Sequence, residues 1–462
     1  MLGSRGAVRA RVLVCLSLYT AVLIAGAARA DDTSAVQDIV AILREKGLID
    51  QTTGDEILAK QASSDAKAAK AAATPSVSQG LLEGFIWSGD LRLRDEQFWY
   101  MKGMGADGVS ANDNNRIRYR ARIGFTKQIN DWALIGVRIA TDTTDYRSTN
   151  ISAGETSDFQ YDSVFFDKVY ATFLVPDPGI GLKTSLTAGK MTNPFLWKNT
   201  MERIIWDEDI TPEGVALSST WAPTENTKLF MNLGYFVELQ NATQTDPRVY
   251  GYQLGGSVKV PEAAVEVGAR ASYYDWRHLA NDANSATHTG FFARTFANGN
   301  LPNGFDPDMH IIESTGYVTW SGLEEWPITL WGTWAQNLSA DGGVVKGVSI
   351  GAQDQAFGVG VEGGDAKRWF RAGAAFNHVE ANAVVAQYTD SDMFDGRTNR
   401  EGWALYIWRE ILPNTELRFT LWDQHPIKTT ASGLGNGPFN ISATTDSQAS
   451  RRRGQFDVNF KF

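Results

Sequence analysis

Arginines occupy every second position of one short stretch of the chain. They are Arg116, Arg118, Arg120 and Arg122, and an earlier stretch repeats the pattern with Asp90, Arg92, Arg94 and Glu96. Successive side chains of a β-strand point to opposite faces, so a strand would place each of these sets on one face. Such a row of guanidinium groups could position anions or the negative end of a dipolar solute. The alternative is that each arginine pairs with an acid on a neighbouring strand.

A group of acids follows in the connection 191–212 and at its end. It consists of Asp207, Glu208, Asp209 and Glu213. If these acids faced the arginines across an open space, they would set up an electric field across that space. The alternative is an acidic loop that is exposed to solvent.

Patterns typical of catalytic sites lack the surroundings that their chemistry needs. Gly347–Gly351 fits G-x-S-x-G without a strand–turn–helix, and Gly358–Gly363 fits G-x-G-x-x-G without a following helix. The five histidines show no metal-binding spacing. His288 or His310 could still bind a surface cation beside the neighbouring aspartates, Asp306 and Asp308. The sequence therefore predicts neither a catalytic site nor a cofactor.

The elements that would position these residues are strands. Sixteen candidate strands span residues 84–99, 115–128, 131–143, 163–175, 182–190, 213–222, 227–238, 248–260, 263–276, 309–322, 326–338, 353–363, 367–379, 399–411, 414–424 and 452–462. Short connections with turn residues alternate with long ones, such as 144–162, 191–212, 277–308 and 425–451. An even number of antiparallel strands returns the chain to the side on which it began.

The strands alternate apolar and polar residues, which indicates two different surroundings. Leu417, Phe419 and Leu421 alternate with a polar set, namely Glu416, Arg418 and Thr420. A charge facing lipid at the membrane centre costs about 2–4 kcal/mol, so the charged set should face inward. Sixteen strands leave a water-filled lumen, whereas about eight would be filled by side chains. The prediction is an all-β, sixteen-stranded antiparallel transmembrane β-barrel over residues 81–462, with a short N-terminal periplasmic helical segment.

The first 80 residues have a different composition. Residues 1–30 combine arginines, an apolar stretch and the sequence Ala28-Arg29-Ala30, as in a signal peptide. The only cysteine, Cys15, lies there, so the mature chain has no disulfide. Removing four arginines changes the net charge from −10 to −14, which argues against nucleic-acid binding. Residues 31–80 show helical spacing and a linker-like end, and we predict a periplasmic helical segment.

The last strand ends on an aromatic residue, Phe462. Residues 455–462 alternate polar and apolar side chains. This ending resembles the terminal strand of bacterial outer-membrane β-barrels, in which the strand is the recognition signal for the barrel-assembly machinery. A soluble sandwich could also end in this way, and the rest of the chain favours the barrel.

Several segments resemble the bacterial Putative porin family, distant relatives of the general sixteen-stranded porins. They are Gly89–Arg94, Asn115–Phe125, Val169–Phe173, Gly189–Phe195 and Trp206–Ala216. The resemblance covers roughly residues 84–462 and is densest before residue 220. It implies an outer-membrane pore without a cofactor, commonly a homotrimer, whose loop after the fifth strand folds inward and narrows the channel.

The leading hypothesis is passive diffusion of small polar or charged solutes through a water-filled channel. The constriction would be lined by Arg92, Arg94, Arg116, Arg118, Arg120, Arg122, Asp207, Glu208, Asp209 and Glu213. Outer-membrane lipid and lipopolysaccharide would surround the barrel. Arg451–Arg453 could touch lipopolysaccharide phosphates, but the sequence favours a solvated loop end there. The alternatives are an outer-membrane barrel enzyme of the lipase or protease type and a structural barrel that tethers the cell envelope.

Overall fold

A computed structural model describes most of the chain from Gly84 onward. The described residues are 84–102, 114–142, 147–154, 161–197, 203–279, 308–323, 326–340, 343–345, 348–394, 396, 398–427 and 450–462. The predicted signal peptide and the helical segment of residues 31–80 lie outside them. Among the described residues, no helix has the length and apolar character that a membrane-spanning helix needs.

The described residues form nineteen strands, sixteen of which are long enough to form the barrel wall. They are β1 (Phe85–Lys102), β2 (Asn114–Asn130), β3 (Ala133–Asp142), β4 (Ile151–Ser152), β5 (Ser163–Val175), β6 (Leu182–Lys190), β7 (Glu213–Thr224), β8 (Thr227–Val237), β9 (Arg248–Val260), β10 (Val265–Arg277), β11 (Asp308–Trp320), β12 (Ile328–Asn337), β13 (Gly343–Val345), β14 (Val348–Ile350), β15 (Gln355–Gly364), β16 (Arg371–Val379), β17 (Arg400–Leu412), β18 (Thr415–Pro426) and β19 (Ser450–Lys461). The three short ones are β4, β13 and β14.

Each barrel strand pairs antiparallel with the barrel strands before and after it along the chain. The last strand, β19, pairs with β1 and closes the sheet into a sixteen-stranded barrel. The amide of Gly89 donates to the carbonyl oxygen of Phe462 at 2.8 Å, which extends this closure to the final residue. The predicted sixteen-stranded antiparallel barrel is confirmed, and most of the predicted strand ends agree with the structure to within a few residues.

The two faces of the wall separate as the alternation predicts. On β1, Leu91 and Leu93 are 37% and 46% exposed, whereas Arg92 and Arg94 between them are buried inside the barrel. On β17, Trp403 and Leu405 are 56% and 50% exposed, whereas Ala404 and Tyr406 beside them are buried. The outer surface is therefore an apolar band, as contact with lipid requires.

Long connections at one end of the barrel fold back into it. Residues 191–197 and 203–212 form the first inward segment, here called loop A, and residues 380–394 form a second, called loop B. The buried apolar cluster joins these loops to the inner faces of the wall strands. Its members include Phe195, Ile204, Ile205, Trp206, Tyr274, Trp276, Ile311, Ala335, Val384, Val385 and Phe394. The hydrophobic core of this protein thus lies within the barrel.

Candidate functional site

The register between β1 and β2 brings the two predicted rows of charged residues together. Arg92 lies opposite Arg120 and Arg94 opposite Arg118, while Glu96 lies opposite Arg116 and Asp90 opposite Arg122. Directly opposite residues of an antiparallel pair share one face of the sheet. All six predicted arginines therefore lie on the inner face, in two adjacent columns that we call the basic wall.

Glu96 connects the basic wall to residues of β19. Its side chain is completely buried and accepts hydrogen bonds from Arg453 Nε at 2.8 Å and from Gln455 Nε2 at 3.0 Å. Arg116 also pairs with it. One buried carboxylate thus balances guanidinium groups from β2 and β19.

Loop A contacts Arg120 and Arg122 of the basic wall through the carboxylate of Asp209. Asp209 lies 3.0 Å from Arg122 Nη1 and 3.5 Å from Arg120 Nη1. Both arginines also bind Asp90. Burial opposes ionisation of Asp209, but Arg120 and Arg122 outweigh it and lower the pKa of this carboxyl to about 2. Asp209 is therefore a fixed negative charge against the wall.

Loop B supplies a second carboxylate, which the sequence analysis missed. Asp392 lies 3.0 Å from Arg94 Nη1 and 2.7 Å from Arg453 Nη2. These guanidinium groups lower the pKa of Asp392, although its burial acts in the opposite direction. The run Asp390-Ser391-Asp392 resembles the Asp207-Glu208-Asp209 run of loop A and could have indicated this second site. Two loops, rather than one, bring acids to the wall.

Asp207 joins the two loops and makes no ion pair with the basic wall. Its amide donates to the carbonyl oxygen of Tyr388 at 2.6 Å, and its Oδ2 accepts from the Ser391 amide at 2.7 Å. Arg203 adds a bridge, because it pairs with Glu208 of loop A and with Asp390 of loop B. Burial raises the pKa of Asp207, and the nearby carboxylates of Asp390 and Asp209 raise it further.

A third inward segment, residues 147–150, covers another part of the wall. The Asn150 Oδ1 atom accepts from Arg92 Nε at 3.0 Å and from Arg92 Nη2 at 2.8 Å. The carbonyl oxygen of Asn150 accepts from Arg118 Nη2 at 2.9 Å. The side-chain oxygen of Asn150 thus holds Arg92, and its backbone carbonyl oxygen holds Arg118. Neither contact adds a charge to the wall.

Aromatic side chains on the opposite inner surface support both loops. The ring of Phe195 lies 5.4 Å from that of Tyr274, and Trp206 lies 5.3 Å from Trp276. Trp276 in turn stacks at 4.9 Å on Tyr388 of loop B. Residue 251 must be glycine for this arrangement, because a Cβ there would overlap the Phe195 ring. We call this surface the apolar seat.

A cavity of about 310 Å³ remains beside the basic wall. Nine of its eighteen lining residues are basic and five are acidic. The basic residues are Arg92, Arg94, Arg120, Arg122, Arg138, Lys168, Arg203, Arg418 and Lys461, and the acidic ones are Glu208, Asp209, Asp392, Glu416 and Asp457. Its walls are therefore rich in charges of both signs, with more positive than negative groups.

The remaining predicted site residues are more dispersed. Glu208 lines the cavity, whereas Arg116, Arg118 and Asp207 are not among its lining residues. Glu213, at the start of β7, pairs with Lys190 at 2.8 Å and is not among the lining residues. Phe462 lies at the barrel seam with 64% of its surface exposed. The structure thus unites Arg92, Arg94, Arg120, Arg122, Glu208 and Asp209 around one space.

The other sequence patterns form no catalytic or metal site among the described residues. Residues 348–350 of the G-x-S-x-G pattern form β14, which pairs with β13, and Gly358–Gly363 lies within β15. His310 lies 3.1 Å from Asp275, while His288 is outside the described residues. No group of three or more possible metal ligands occurs in the described part of the chain. Arg453, which could have touched lipopolysaccharide, instead points into the barrel and binds Glu96.

Comparison with known proteins adds a family match. Residues 108–303 match the model of the family described as Putative porin. No curated protein matches the chain.

Solved structures with a similar fold include three proteins. OprB of Pseudomonas putida, in a high-pH structure, is 12% identical, with coverage of 84% of this chain and 96% of that one and a TM-score of 0.49. OmpF of Salmonella typhi in complex with daunomycin is 10% identical, with coverage of 82% and 97% and a TM-score of 0.47. The outer membrane channel DcaP of Acinetobacter baumannii is 12% identical, with coverage of 82% and 97% and a TM-score of 0.43.

The family match agrees with the architecture described above. The wall is closed, its outer face is apolar, and charged residues surround the space inside. These features indicate a channel rather than an enzyme. Residues 108–303 thus resemble the Putative porin family, and the described residues form the sixteen-stranded β-barrel of an outer-membrane porin.

Proposed function

We propose that the porin conducts small polar or charged solutes by passive diffusion through the space between the basic wall and loops A and B. The observation that supports this most directly is the placement of Asp209 and Asp392 against Arg94, Arg120 and Arg122. These acids contact the arginines directly, and the open cavity beside the ion pairs is lined by nine basic and five acidic residues. The field of so many fixed charges orients charged and dipolar solutes inside it. Solutes then pass without a conformational cycle or a cofactor.

Conductance of the purified protein in planar lipid bilayers tests this proposal. Stepwise current increases that scale with salt concentration are expected for a diffusion channel. The enzyme and envelope-tether alternatives predict a folded barrel without such steps. Absence of steps from protein that keeps its barrel on unheated gels would refute the proposal.

The assembly state is part of the same proposal. The family resemblance implies a homotrimer, and the apolar outer face offers surface for contacts between barrels as well as for lipid. Mass measurement of the detergent-solubilised protein, with the detergent contribution subtracted, tests the trimer. A barrel that remains monomeric in mild detergent and conducts normally would contradict it.

Phe462 serves as the signal for the barrel-assembly machinery in this proposal. Its amide donates to the Gly89 carbonyl at 3.1 Å, so it also completes the seam between the first and last strands. Deleting Phe462 is expected to lower the amount of barrel in the outer membrane. The matched control is Phe462→Tyr, which keeps an aromatic end, and equal abundance of the deletion variant and the parent would contradict the role.

Residues 31–80 are proposed to be a periplasmic segment that is not needed for conduction. They lie outside the sixteen-stranded pattern, and the barrel closes without them. A chain lacking residues 31–80, with its signal peptide kept, should give channels of unchanged conductance. Loss of conductance from a folded barrel would contradict this division of the chain.

A further inference from the structure

Three basic side chains of the cavity have no acidic partner among the described residues. Arg92 binds only the Asn150 amide oxygen, and Lys168 Nζ donates to Thr192 Oγ1 at 2.7 Å. The Arg418 guanidinium lies over the Trp408 ring at 5.3 Å. These three groups come from β1, β5 and β18.

The acids of the cavity are already occupied by other cations. Glu208 pairs with Arg203, Asp209 with Arg120 and Arg122, Asp392 with Arg94 and Arg453, Glu416 with Lys461, and Asp457 with Arg94. Glu208 shares Arg203 with Asp390 and also interacts with Arg92 and Arg418 at longer range, but no lining acid lies within ion-pair distance of the three cations. The cavity therefore has an excess of positive charge that its own side chains do not neutralise.

The strand register spreads these cations along the wall. Arg418 lies opposite Asp457 on β19, which lies opposite Arg94 on β1, so Arg418 and Arg92 are two strands and one row of inward side chains apart. With strand spacing near 4.8 Å and a rise near 3.3 Å per residue, their Cα atoms are about 12 Å apart. Lys168 lies on the other side, opposite Arg138 of β3. Side chains of this length converge on the space between them.

A buried cation without a counter-ion is unfavourable, and a bound anion would relieve this cost. Arg92 is only 7% exposed, and its partner is a neutral amide. Guanidinium groups form their strongest hydrogen bonds with carboxylate and phosphate oxygens, often in pairs. An anion with one charged group would satisfy one of the three cations, whereas an anion with several could satisfy two or more.

We propose that the cavity is a binding site for small oxyanions with two or more negative charges, held by Arg92, Lys168 and Arg418. Carboxylates and phosphates share the chemistry that these residues recognise. The site would concentrate such anions in the pore and make their passage saturable. This inference rests on the proposed function, because it assumes that solutes enter the cavity by diffusion.

The experiment measures chloride current through single channels in low salt while succinate, inorganic phosphate or succinamide is added. Succinamide has the carbon skeleton of succinate but no charge. Succinate and phosphate should lower the chloride current along a saturating curve, because a bound oxyanion occupies the path. Succinamide at the same concentration should leave the current nearly unchanged.

Two substitutions test the assignment to particular residues. Arg418→Gln and Lys168→Met remove cations that make no ion pair with described residues, so the wall network stays intact. Each should raise the half-blocking oxyanion concentration at least threefold, and the double variant should raise it about tenfold. Lys228→Gln, on β8 and outside the cavity, removes the same charge and should change it little.

The possible outcomes separate this inference from the porin function. Absence of conductance from the folded parent protein would refute both. Conductance with equal effects of succinate, phosphate and succinamide would refute the anion site alone. Equal half-blocking concentrations for Arg418→Gln, Lys168→Met and Lys228→Gln would also refute it. The block would then depend on the total charge of the protein and not on cations of the cavity. Block by only one of the two oxyanions would assign the site to that class.

Discussion

The basic wall and the apolar seat face the same interior and are stabilised in different ways. In the wall, guanidinium groups of β1, β2 and β19 are held by carboxylates such as Glu96 and Asp90. In the seat, aromatic rings of β10 pack against Phe195 and Trp206 of loop A. Packing on the apolar seat positions loops A and B, and the arginines of the basic wall pair with the acids of these loops. An inward-facing position in this barrel is therefore not always a polar one.

The largest expected effect comes from removing the central acid of the wall. Glu96→Gln leaves Arg116 and Arg453 without their shared carboxylate in a buried site. Breaking a buried pair typically costs about 3–5 kcal/mol, so the free energy of unfolding should fall by that amount. The measurement is the unfolding midpoint, followed by the loss of the barrel band on gels.

Glu213→Gln is the control for this change. Its pair with Lys190 is mostly solvent-exposed, and such pairs contribute about 0–1 kcal/mol. If both variants shifted the midpoint equally, the buried Glu96 would contribute no more to stability than an exposed ion pair does.

The next effect tests the seat. Phe195→Ala removes a side chain that is 1% exposed and packed against Tyr274. Truncation of a buried aromatic costs about 3–5 kcal/mol, which should weaken the hold on loop A. Single-channel conductance should rise because the loop no longer narrows the lumen.

Leu93→Ala is the matched control on the outer face. Leu93 lies between two arginines of the wall but is 46% exposed on the outer surface of the barrel. Its truncation should leave conductance unchanged. Unaltered conductance in Phe195→Ala would show that the seat does not control the width of the pore.

A smaller effect distinguishes residues within the wall. Arg120 lines the cavity, whereas Arg118 is covered by residues 148–150. Arg120→Ser should therefore shift the reversal potential in a salt gradient toward cations more than Arg118→Ser does. Asp209→Asn should shift it toward anions, and Asp207→Asn should have less effect because Asp207 joins the loops instead.

The salt dependence of this shift provides a second measurement. Two unit charges about 8 Å apart interact by roughly 0.5 kcal/mol in water and about four times more at an effective dielectric constant near 20. The shift should shrink between about 0.1 M and about 1 M salt, as the Debye length falls from about 10 Å to about 3 Å. Equal shifts for Arg118→Ser and Arg120→Ser would mean that the cavity is not the conducting path.

The smallest effect concerns the contact between loops A and B. The pKa of Asp207 is raised above its usual 3.8, first by burial and then by Asp390 and Asp209. The packed loops therefore bind more protons than the separated loops between 3.8 and the raised pKa. The contact should weaken as pH rises through this window and then level off.

Hydrogen exchange of the Ser391 amide, corrected for its intrinsic pH dependence, measures this contact. Asp207→Asn mimics the protonated carboxyl and should flatten the pH profile. A pH profile that is identical in the variant and the parent protein would contradict the assignment to Asp207.

The sequence by itself determined the wall of the barrel. Period-two alternation, turn residues and strand length depend on local backbone geometry, so the sixteen strands and the inward side of Arg116–Arg122 could be predicted. The acidic run of loop A was also visible, and Asp209 lies where the arginines predict an acid.

Only the tertiary structure decided how the interior is filled. Loop B, the segment around Asn150 and Arg453 meet the wall through contacts between residues far apart in sequence, and no local periodicity encodes such contacts. For the same reason, Asp207 and Asp209 have different partners although they are only two residues apart. Asp207 binds loop B, and Asp209 pairs with an arginine of the wall. The sequence specified which residues face inward, and the packing of the loops on the apolar seat decided which of them line the open space.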